Sequence, residues 1–356
     1  MHKIYTVVFI LVLVAVVPFT ATSQTALDQL ASDLEFLFDE LGKELVPNLQ
    51  TASVLNHELG SAQLGDFPRM YFSFSAGGTL DTSGVLLFTK PKYSDRYENF
   101  ELFNNLFDEI GLNDKDTRDI TDNYLPLPSL RAGIGIGLWD DMELSVQLGM
   151  VPQAATDMAL GLAGDDDNLE NVGASIITVG TRLRRVLVRQ DRGIPAISAG
   201  IGYVYSGIDF SYPLDTTDPL ELGGDGVDKQ SLAVDGDMVF KVITHSVGFD
   251  VRASQQVLRV FYPFIGMSAY YQVTNYEAGV KGFKGEIIEG EDPQRGTGSP
   301  ITTAIQPFSE QEFRDFNVVL NTGFDIKLAV INLFLHGNYA LSTRAPGAIV
   351  GMRLQF

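Results

Sequence analysis

The last ten residues of the chain alternate between two kinds of side chain and end on an aromatic residue. One set is apolar throughout and consists of Ala348, Val350, Met352, Leu354 and Phe356. The intervening positions include Arg353 and Gln355. Because successive side chains of a strand point to opposite faces, this period of two predicts a strand with one apolar face and one mixed face.

The same alternation recurs over most of residues 69–356. A repeat of about ten residues, apolar on one face and polar on the other, is what a membrane-spanning barrel needs. We therefore predict an all-β fold, an antiparallel transmembrane β-barrel of about ten strands. The predicted strands lie near residues 69–79, 130–139, 142–151, 172–188, 195–211, 238–254, 261–282, 314–328, 330–342 and 346–356. Val85–Thr89 is an additional apolar run, so twelve or fourteen strands are also compatible with the sequence. A soluble β-sandwich alternates too, but it does not require connections that differ in length between its two ends.

The connections between these strands alternate in length. Short ones fall at residues 140–141, 189–193, 255–259 and around 329. Long acidic ones fall at residues 152–171, 207–237 and 284–312. Short turns at one end and long loops at the other are typical of outer-membrane barrels, whose long loops face the exterior.

The first 23 residues read as a cleaved signal peptide. Lys3 precedes the apolar run Val7–Val17, and Ala21 and Ser23 are the small residues expected before a cleavage site. The run is too short for a membrane-spanning helix, which needs about 20 residues. The sequence has no cysteine, which excludes a lipid-anchoring cysteine after the signal.

Two segments have the spacing of helices rather than strands. Thr25–Leu45 repeats leucine at helical intervals against acidic residues, within a predicted N-terminal plug or periplasmic segment that covers residues 24–68. A second helix is predicted near residues 98–110, in an insertion at about 95–111 of the barrel domain 69–356. Because acidic helices suit an anionic membrane surface poorly, the first helix is expected to lie in the barrel mouth or lumen.

The C-terminal strand resembles the terminal signature of bacterial outer-membrane β-barrels. The resemblance implies an outer-membrane location and contacts with membrane lipid and with the barrel-assembly machinery. Val350, Met352, Leu354 and Phe356 carry the signature. The N-terminal segment, which ends in Gly65–Pro68, looks like the plug of the FadL-type family of long-chain fatty-acid transporters. That resemblance implies uptake of hydrophobic small molecules.

Two sets of side chains are candidates for a role in transport. The apolar face of the second helix could line an external groove for a hydrophobic ligand, or simply attach that helix to the loops. Its residues are Phe100, Phe103, Phe107 and Ile110. The predicted lumen face carries Arg131, Arg182, Asp250, Arg252, Asp325, Lys327 and His336. These charges suit a hydrophilic diffusion pore, or they pair with one another inside a closed barrel.

Other functions find less support in the sequence. The net charge of −20 argues against a nucleic-acid partner, because phosphate binding needs clustered Lys and Arg. His336 is the histidine to examine for catalysis, but no recognisable motif surrounds it, and we expect no enzymatic activity. Asp165–Asn168 lacks the spaced ligands of a calcium loop, so we expect no metal or cofactor. A structural or surface-interaction barrel with a closed lumen and acidic external loops remains the main alternative to a transporter.

Overall fold

The described residues of the computed structural model form twelve β-strands and an N-terminal helix. The model describes residues 35, 38–39, 42–43, 46–55, 60–62, 69–81, 125–139, 141–150, 173–191, 193–215, 220–223, 230–289, 297–300 and 308–356. The strands are β1 (Met70–Asp81), β2 (Leu125–Leu138), β3 (Met142–Met150), β4 (Gly173–Val188), β5 (Ala196–Asp215), β6 (Leu220–Gly223), β7 (Gln230–Ser254), β8 (Phe261–Glu289), β9 (Thr297–Pro300), β10 (Phe308–Leu328), β11 (Ile331–Ala340) and β12 (Pro346–Gln355).

Ten of these strands close into an antiparallel barrel. Around the barrel the order is β1, β2, β3, β4, β5, β7, β8, β10, β11 and β12, and β12 pairs back onto β1. The closing register places Tyr71 opposite Gln355 and Thr79 opposite Gly347. The predicted ten-stranded barrel is therefore confirmed. Strands β6 and β9 have four residues each and extend the sheet only at the far ends of β7 and β8.

The two faces of the barrel wall differ in chemistry as the alternation predicts. Large apolar side chains are exposed on the outside, as in Phe74, Ile201 and Ile265. Small and polar side chains are buried on the inside, among them Ser73, Ser198, Ser246, Gln272 and Asn317. An apolar exterior and a polar interior on a closed sheet fit hydrocarbon, which tolerates no open strand edge. No helix among the described residues has the length and apolar character needed to cross a membrane.

The barrel wall is tallest along β7 and β8. Strands β7 and β8 have 25 and 29 residues, whereas a tilted strand crosses a bilayer in about 9–11. The short segment 255–260 joins β7 to β8, and the connections at 189–195 and 329–330 lie at the same end of the barrel. Because short turns face the periplasm in outer-membrane barrels, we call this the periplasmic end and the opposite end the exterior side. The surplus length therefore stands on the exterior side. We call the part of β7 before residue 242, together with the part of β8 after residue 274, the raised wall.

An N-terminal helix lies inside the barrel. Residues 46–55 are helical, and so are the described positions before them, Glu35, Phe38, Asp39, Gly42 and Lys43. The predicted helix was expected to end at Leu45, but residues 46–55 are also helical. Val46, Gln50 and Leu55 have 1 % exposure or less, because the barrel wall surrounds them. The predicted helix at 98–110 and the run Val85–Thr89 lie outside the described residues.

Candidate functional site

Charged side chains form a ring inside the barrel at its periplasmic end. We call this ring the collar. Its members are Arg69, Glu143, Arg182, Arg184, Asp250, Arg252, Asp325, His336 and Arg353, and their side chains are at most 9 % exposed. Each of the three carboxylates is shared by two cationic or potentially cationic partners. This sharing is expected, since an unpaired charge is costly to bury.

Glu143, the second residue of β3, links β4 to the residue before β1. Its Oε1 accepts a hydrogen bond from Arg184 Nη2 at 2.9 Å, and its Oε2 accepts one from Arg69. Tyr71 lies beside the same carboxylate, with its hydroxyl 3.4 Å from Glu143 Oε1. The carboxylate therefore connects β3 to its neighbour β4 and, across β2, to the start of β1 through buried hydrogen bonds.

Asp250 on β7 binds two arginines through one oxygen. Arg252 donates to Asp250 Oδ1 from Nη2 at 2.7 Å, and Arg182 on β4 donates to the same atom. Strand β5 lies between β4 and β7, so Arg182 must pass over it. Gly200 on β5 occupies the crossing point, where an added Cβ would lie 2.8 Å from Asp250 Oδ2.

Asp325 near the end of β10 completes the collar. His336 Nε2 lies 3.2 Å from Asp325 Oδ1, and Arg353 Nη1 lies 3.6 Å from Oδ2. The His336 ring lies against two aromatic rings, edge-on to Phe264 and stacked on Phe334 with centroid distances of 4.8 and 4.7 Å. The histidine is thus enclosed by rings and is 2 % exposed.

The collar and the neighbouring Ser254 form hydrogen bonds with the backbone of residues 60–62. Arg252 Nη1 donates to the Gly60 carbonyl at 2.8 Å, and Arg184 Nη1 donates to the Ser61 carbonyl at 2.7 Å. The Ser61 amide donates to Asp325 Oδ2 at 2.9 Å, and the Ala62 amide donates to the Ser254 hydroxyl at 2.9 Å. These contacts hold the chain by its peptide groups across the periplasmic end of the lumen.

Gly60 meets two steric requirements at the collar. Its φ of +66° lies in the left-handed region that favours glycine. An added Cβ would also overlap the guanidinium of Arg353. A larger residue would therefore be strained in its backbone and would displace a member of the collar.

Polar side chains of the wall hold the helix above the collar. Gln50 donates to Thr274 Oγ1 at 2.7 Å, and Gln272 donates to the Gln50 carbonyl at 2.9 Å. Asn317 donates to Thr51 Oγ1 at 3.1 Å. The carbonyl oxygens of Ser53 and Leu55 accept hydrogen bonds from Arg131 and Asn338. We call the described part of residues 35–62 the lumen segment.

The upper part of the lumen segment lies against apolar side chains. Tyr276 on β8 is fully buried, and its hydroxyl donates to the Phe38 carbonyl at 2.8 Å. The Tyr276 ring makes edge contacts with Phe240 and Phe313 at centroid distances of 5.6 and 6.2 Å. The interior therefore changes from apolar near the raised wall to charged at the collar.

The structure places all seven lumen candidates on the inside of the wall. Six of them have buried side chains, namely Arg131, Arg182, Asp250, Arg252, Asp325 and His336. Lys327 lies at the periplasmic mouth, with its Nζ 4.2 Å from the centroid of the Tyr262 ring. The four candidates for a hydrophobic groove, Phe100, Phe103, Phe107 and Ile110, lie outside the described residues, so their role stays a prediction.

Four collar residues were missed as functional candidates: Arg69, Glu143, Arg184 and Arg353. All four carry a signal in the sequence. Arg184 follows Arg182 by two positions, which puts both on one face, and Arg353 lies on the mixed face of the terminal strand. Arg69 begins the predicted strand 69–79 and Glu143 lies on the polar face of the predicted strand 142–151, so alternation assigns both to the inner face as well.

The terminal residue closes the seam of the barrel. The Phe356 amide donates to the Met70 carbonyl at 2.9 Å, and the Met70 amide donates to the Phe356 carbonyl at 3.2 Å. The Phe356 ring is 68 % exposed and makes an edge contact with Phe72. Val350 and Met352 face outward on the same strand, whereas Leu354 is half-buried. Whether these side chains direct assembly stays a prediction.

Comparisons with known proteins were made by sequence and by structure. No protein-family model matches the chain, and no curated protein matches its sequence. Among solved structures, the β domain of the Bordetella autotransporter BrkA aligns at 12 % identity and a TM-score of 0.35, over 81 % of this chain and 100 % of that one.

Two further solved structures have similar or lower scores. The outer membrane protease OmpT from Escherichia coli aligns at 8 % identity and a TM-score of 0.34, over 83 % of this chain and 99 % of that one. A Pseudomonas aeruginosa FadL homologue aligns at 7 % identity and a TM-score of 0.24, over 82 % of this chain and 90 % of that one. Similarities this low assign no activity. The barrel closure and the outward apolar band themselves define the class, a transmembrane β-barrel of the outer-membrane type, and its N-terminal helix lies inside the barrel.

Proposed function

We propose that the protein is an outer-membrane transporter that takes up hydrophobic small molecules and is gated by its N-terminal lumen segment. One observation carries the proposal: the lumen segment lies inside the barrel, and the wall binds it through hydrogen bonds to its backbone as well as through apolar packing of Val54 and Leu55. At the collar, Gly60, Ser61 and Ala62 are all bound through peptide groups. The lumen segment is the gate in this proposal.

The nature of these contacts supports movement of the gate. A neutral hydrogen bond within a protein contributes about 0.5–1.5 kcal/mol net and one to a charged group about 1.5–3 kcal/mol, because water can replace either partner. Each polar contact of the lumen segment can therefore be exchanged for water at modest cost as the lumen hydrates. A segment held only by apolar packing would have no such replacement.

The apolar upper lumen supports a hydrophobic solute. Tyr276 contacts the lumen segment on the exterior side, where a solute from the medium arrives first, and Phe240 and Phe313 pack against the Tyr276 ring. The resemblance of residues 24–68 to the FadL-type plug points to the same class of solute. Phe100, Phe103, Phe107 and Ile110 remain the proposed entry groove.

The raised wall favours a second candidate, a surface-interaction barrel with a permanently closed lumen. Strands β7 and β8 continue far beyond the length that a bilayer requires, and β6 and β9 widen the sheet at their ends. A sheet that extends this far beyond the membrane suits contact with another macromolecule outside the cell. An open diffusion pore is less favoured, since the N-terminal helix lies inside the barrel.

A reversible crosslink between the lumen segment and the wall separates the two candidates. The hydroxyls of Thr51 and Thr343 lie 3.0 Å apart, and the natural chain has no cysteine to compete. The variant Thr51→Cys/Thr343→Cys would be placed in liposomes, and uptake of a fluorescent fatty acid would be followed before and after oxidation. We expect oxidation to stop saturable uptake and reduction to restore it.

The single variant Thr343→Cys is the matched control, and oxidation should leave its uptake unchanged. Gel migration of unboiled and boiled samples checks that every variant remains folded. Equal uptake by the oxidised and reduced double variant would contradict gating by the lumen segment. No saturable uptake by the unmodified protein would overturn the transporter and favour the closed barrel.

A further inference from the structure

The collar carries more positive than negative charge, in a chain whose net charge is −20. Five arginines, Arg69, Arg182, Arg184, Arg252 and Arg353, face three carboxylates, Glu143, Asp250 and Asp325. Two positive charges are therefore left over in a buried ring, even with His336 neutral. Because unbalanced buried charge is costly, something else must supply negative potential there.

The lumen segment supplies part of that potential through two carbonyl oxygens. The Gly60 and Ser61 carbonyls accept hydrogen bonds from Arg252 and Arg184 at 2.8 and 2.7 Å. These are the distances at which guanidinium groups bind the oxygens of a carboxylate or phosphate. The two carbonyls therefore occupy positions where an oxyanion would be bound more strongly.

The collar also retains unused donors. Among the described residues, none accepts a hydrogen bond from the Nε of Arg69, Arg182 or Arg184, and each of these atoms is buried. The three side chains are 9 %, 6 % and 5 % exposed. A guanidinium has five N–H donors, and an arriving oxyanion can use those that the carboxylates leave free.

We propose that the collar is an oxyanion site and that a solute bearing a carboxylate or phosphate group exchanges with the Gly60 and Ser61 carbonyls. The inference rests on the proposed gating function and adds the chemical class of the solute: an apolar body with an anionic head. The anion replaces a carbonyl dipole by a full negative charge, so it binds the collar better than the lumen segment does. Binding thereby shifts the lumen segment towards release.

The exposure of Ser61 reports this exchange. Ser61 is 2 % exposed, and Ser61→Cys would introduce the only thiol of the chain with little change in size. The full-length variant would be reconstituted in nanodiscs, and its rate of modification by a water-soluble maleimide would be measured. Hexanoate, hexyl phosphate, inorganic phosphate and hexanol would be added in turn, with sodium chloride at matched ionic strength.

We expect hexanoate and hexyl phosphate to raise the modification rate saturably, by about tenfold, and hexanol and chloride to leave it near its basal value. Acceleration by inorganic phosphate as well would support the oxyanion site and show that it needs no apolar tail. Ser61→Cys/Arg252→Gln should lose the response to the anions. Ser61→Cys/Arg189→Gln is the matched control, because Arg189 is 78 % exposed outside the lumen, and it should keep the response.

Equal acceleration by hexanol and hexanoate would overturn the oxyanion site but leave the hydrophobic transporter standing. No acceleration by either anion would also overturn the site. The crosslink between positions 51 and 343 decides the gating function separately, since it compares uptake of one solute before and after oxidation and leaves the collar arginines unchanged. Gel migration of unboiled samples shows whether the Arg252 variant is folded before its response is interpreted.

Discussion

Arg182 reaches Asp250 across an intervening strand, and Gly200 leaves the space for it. Arg182 and Asp250 belong to β4 and β7, whereas Gly200 belongs to β5 between them. An ideal Cβ on Gly200 would lie 2.8 Å from Asp250 Oδ2 and 3.1 Å from Arg182 Nε. The pair links strands that share no backbone hydrogen bonds, so one glycine determines whether the collar is continuous at this point.

Gly200→Ala should therefore destabilise the barrel. We expect a loss of about 1–3 kcal/mol in the free energy of unfolding, the usual cost of overfilling a packed site. Urea-dependent folding into lipid vesicles measures this loss. Gly337→Ala is the matched control on β11, because its nearest neighbour would lie at 3.9 Å, and it should change stability little. Equal losses in the two variants would contradict the role assigned to Gly200.

Glu143→Gln should have a larger effect than loss of an exposed carboxylate. The substitution leaves Arg69 and Arg184 buried without their shared counter-charge. Breaking a buried pair by removing one partner costs about 3–5 kcal/mol. The same vesicle-folding assay applies.

Asp141→Asn provides the comparison for Glu143→Gln. Asp141 binds Arg189 in a bidentate pair at 2.7 and 2.8 Å, but the Arg189 side chain is 78 % exposed. Exposed pairs contribute about 0–1 kcal/mol, so the Asp141 variant should stay close to the unmodified protein. A similar loss in both variants would show that the burial of Glu143 does not govern its contribution.

The strands of the barrel could be predicted from the sequence because lipid and lumen impose opposite demands on successive residues. The prediction 142–151 corresponds to Met142–Met150, and 330–342 corresponds to Ile331–Ala340. The prediction was poorer above the membrane. Strand β7 was expected to begin near residue 238 but begins at Gln230, since an exterior strand needs no apolar face and loses the alternation.

The candidate site could be predicted only in part. Alternation assigns Arg182, Asp250 and Asp325 to the lumen, but the pairs they form depend on strand register and on which strands are neighbours. Neither the register nor the identity of the neighbouring strands can be determined from the sequence of a single strand. The helix beyond Leu45 was missed for a related reason: Gln50, Thr51 and Ser53 face polar walls, so the apolar stripe that marks a surface helix is absent there.

A charge placed on the outer face should test the membrane position of the barrel. Ile201 is 62 % exposed, lies opposite Phe249 and is the sixth residue of β5, which places it near the middle of the roughly ten residues that cross the bilayer. Ile201→Arg should cost about 2–4 kcal/mol in vesicle folding, the usual penalty for arginine at the bilayer midplane. Ile194→Arg, in the periplasmic turn, should cost about 0–1 kcal/mol. A penalty at position 194 as large as that at 201 would contradict the assigned membrane band.

Phe356→Ala should impair assembly in cells more than stability in vitro. The Phe356 backbone, which closes the seam with Met70, is retained in the variant, and its ring makes one edge contact, with Phe72. We therefore expect little change in vesicle folding but a severalfold decrease in the heat-modifiable protein recovered from outer membranes. Trp139→Ala is the matched control, because that side chain is equally exposed, at 69 %, near the same end of the barrel. If the two variants assemble equally well, the aromatic terminus has no special part in recognition by the assembly machinery. If Phe356→Ala loses stability in vitro to the same extent, its effect in cells arises from the seam itself.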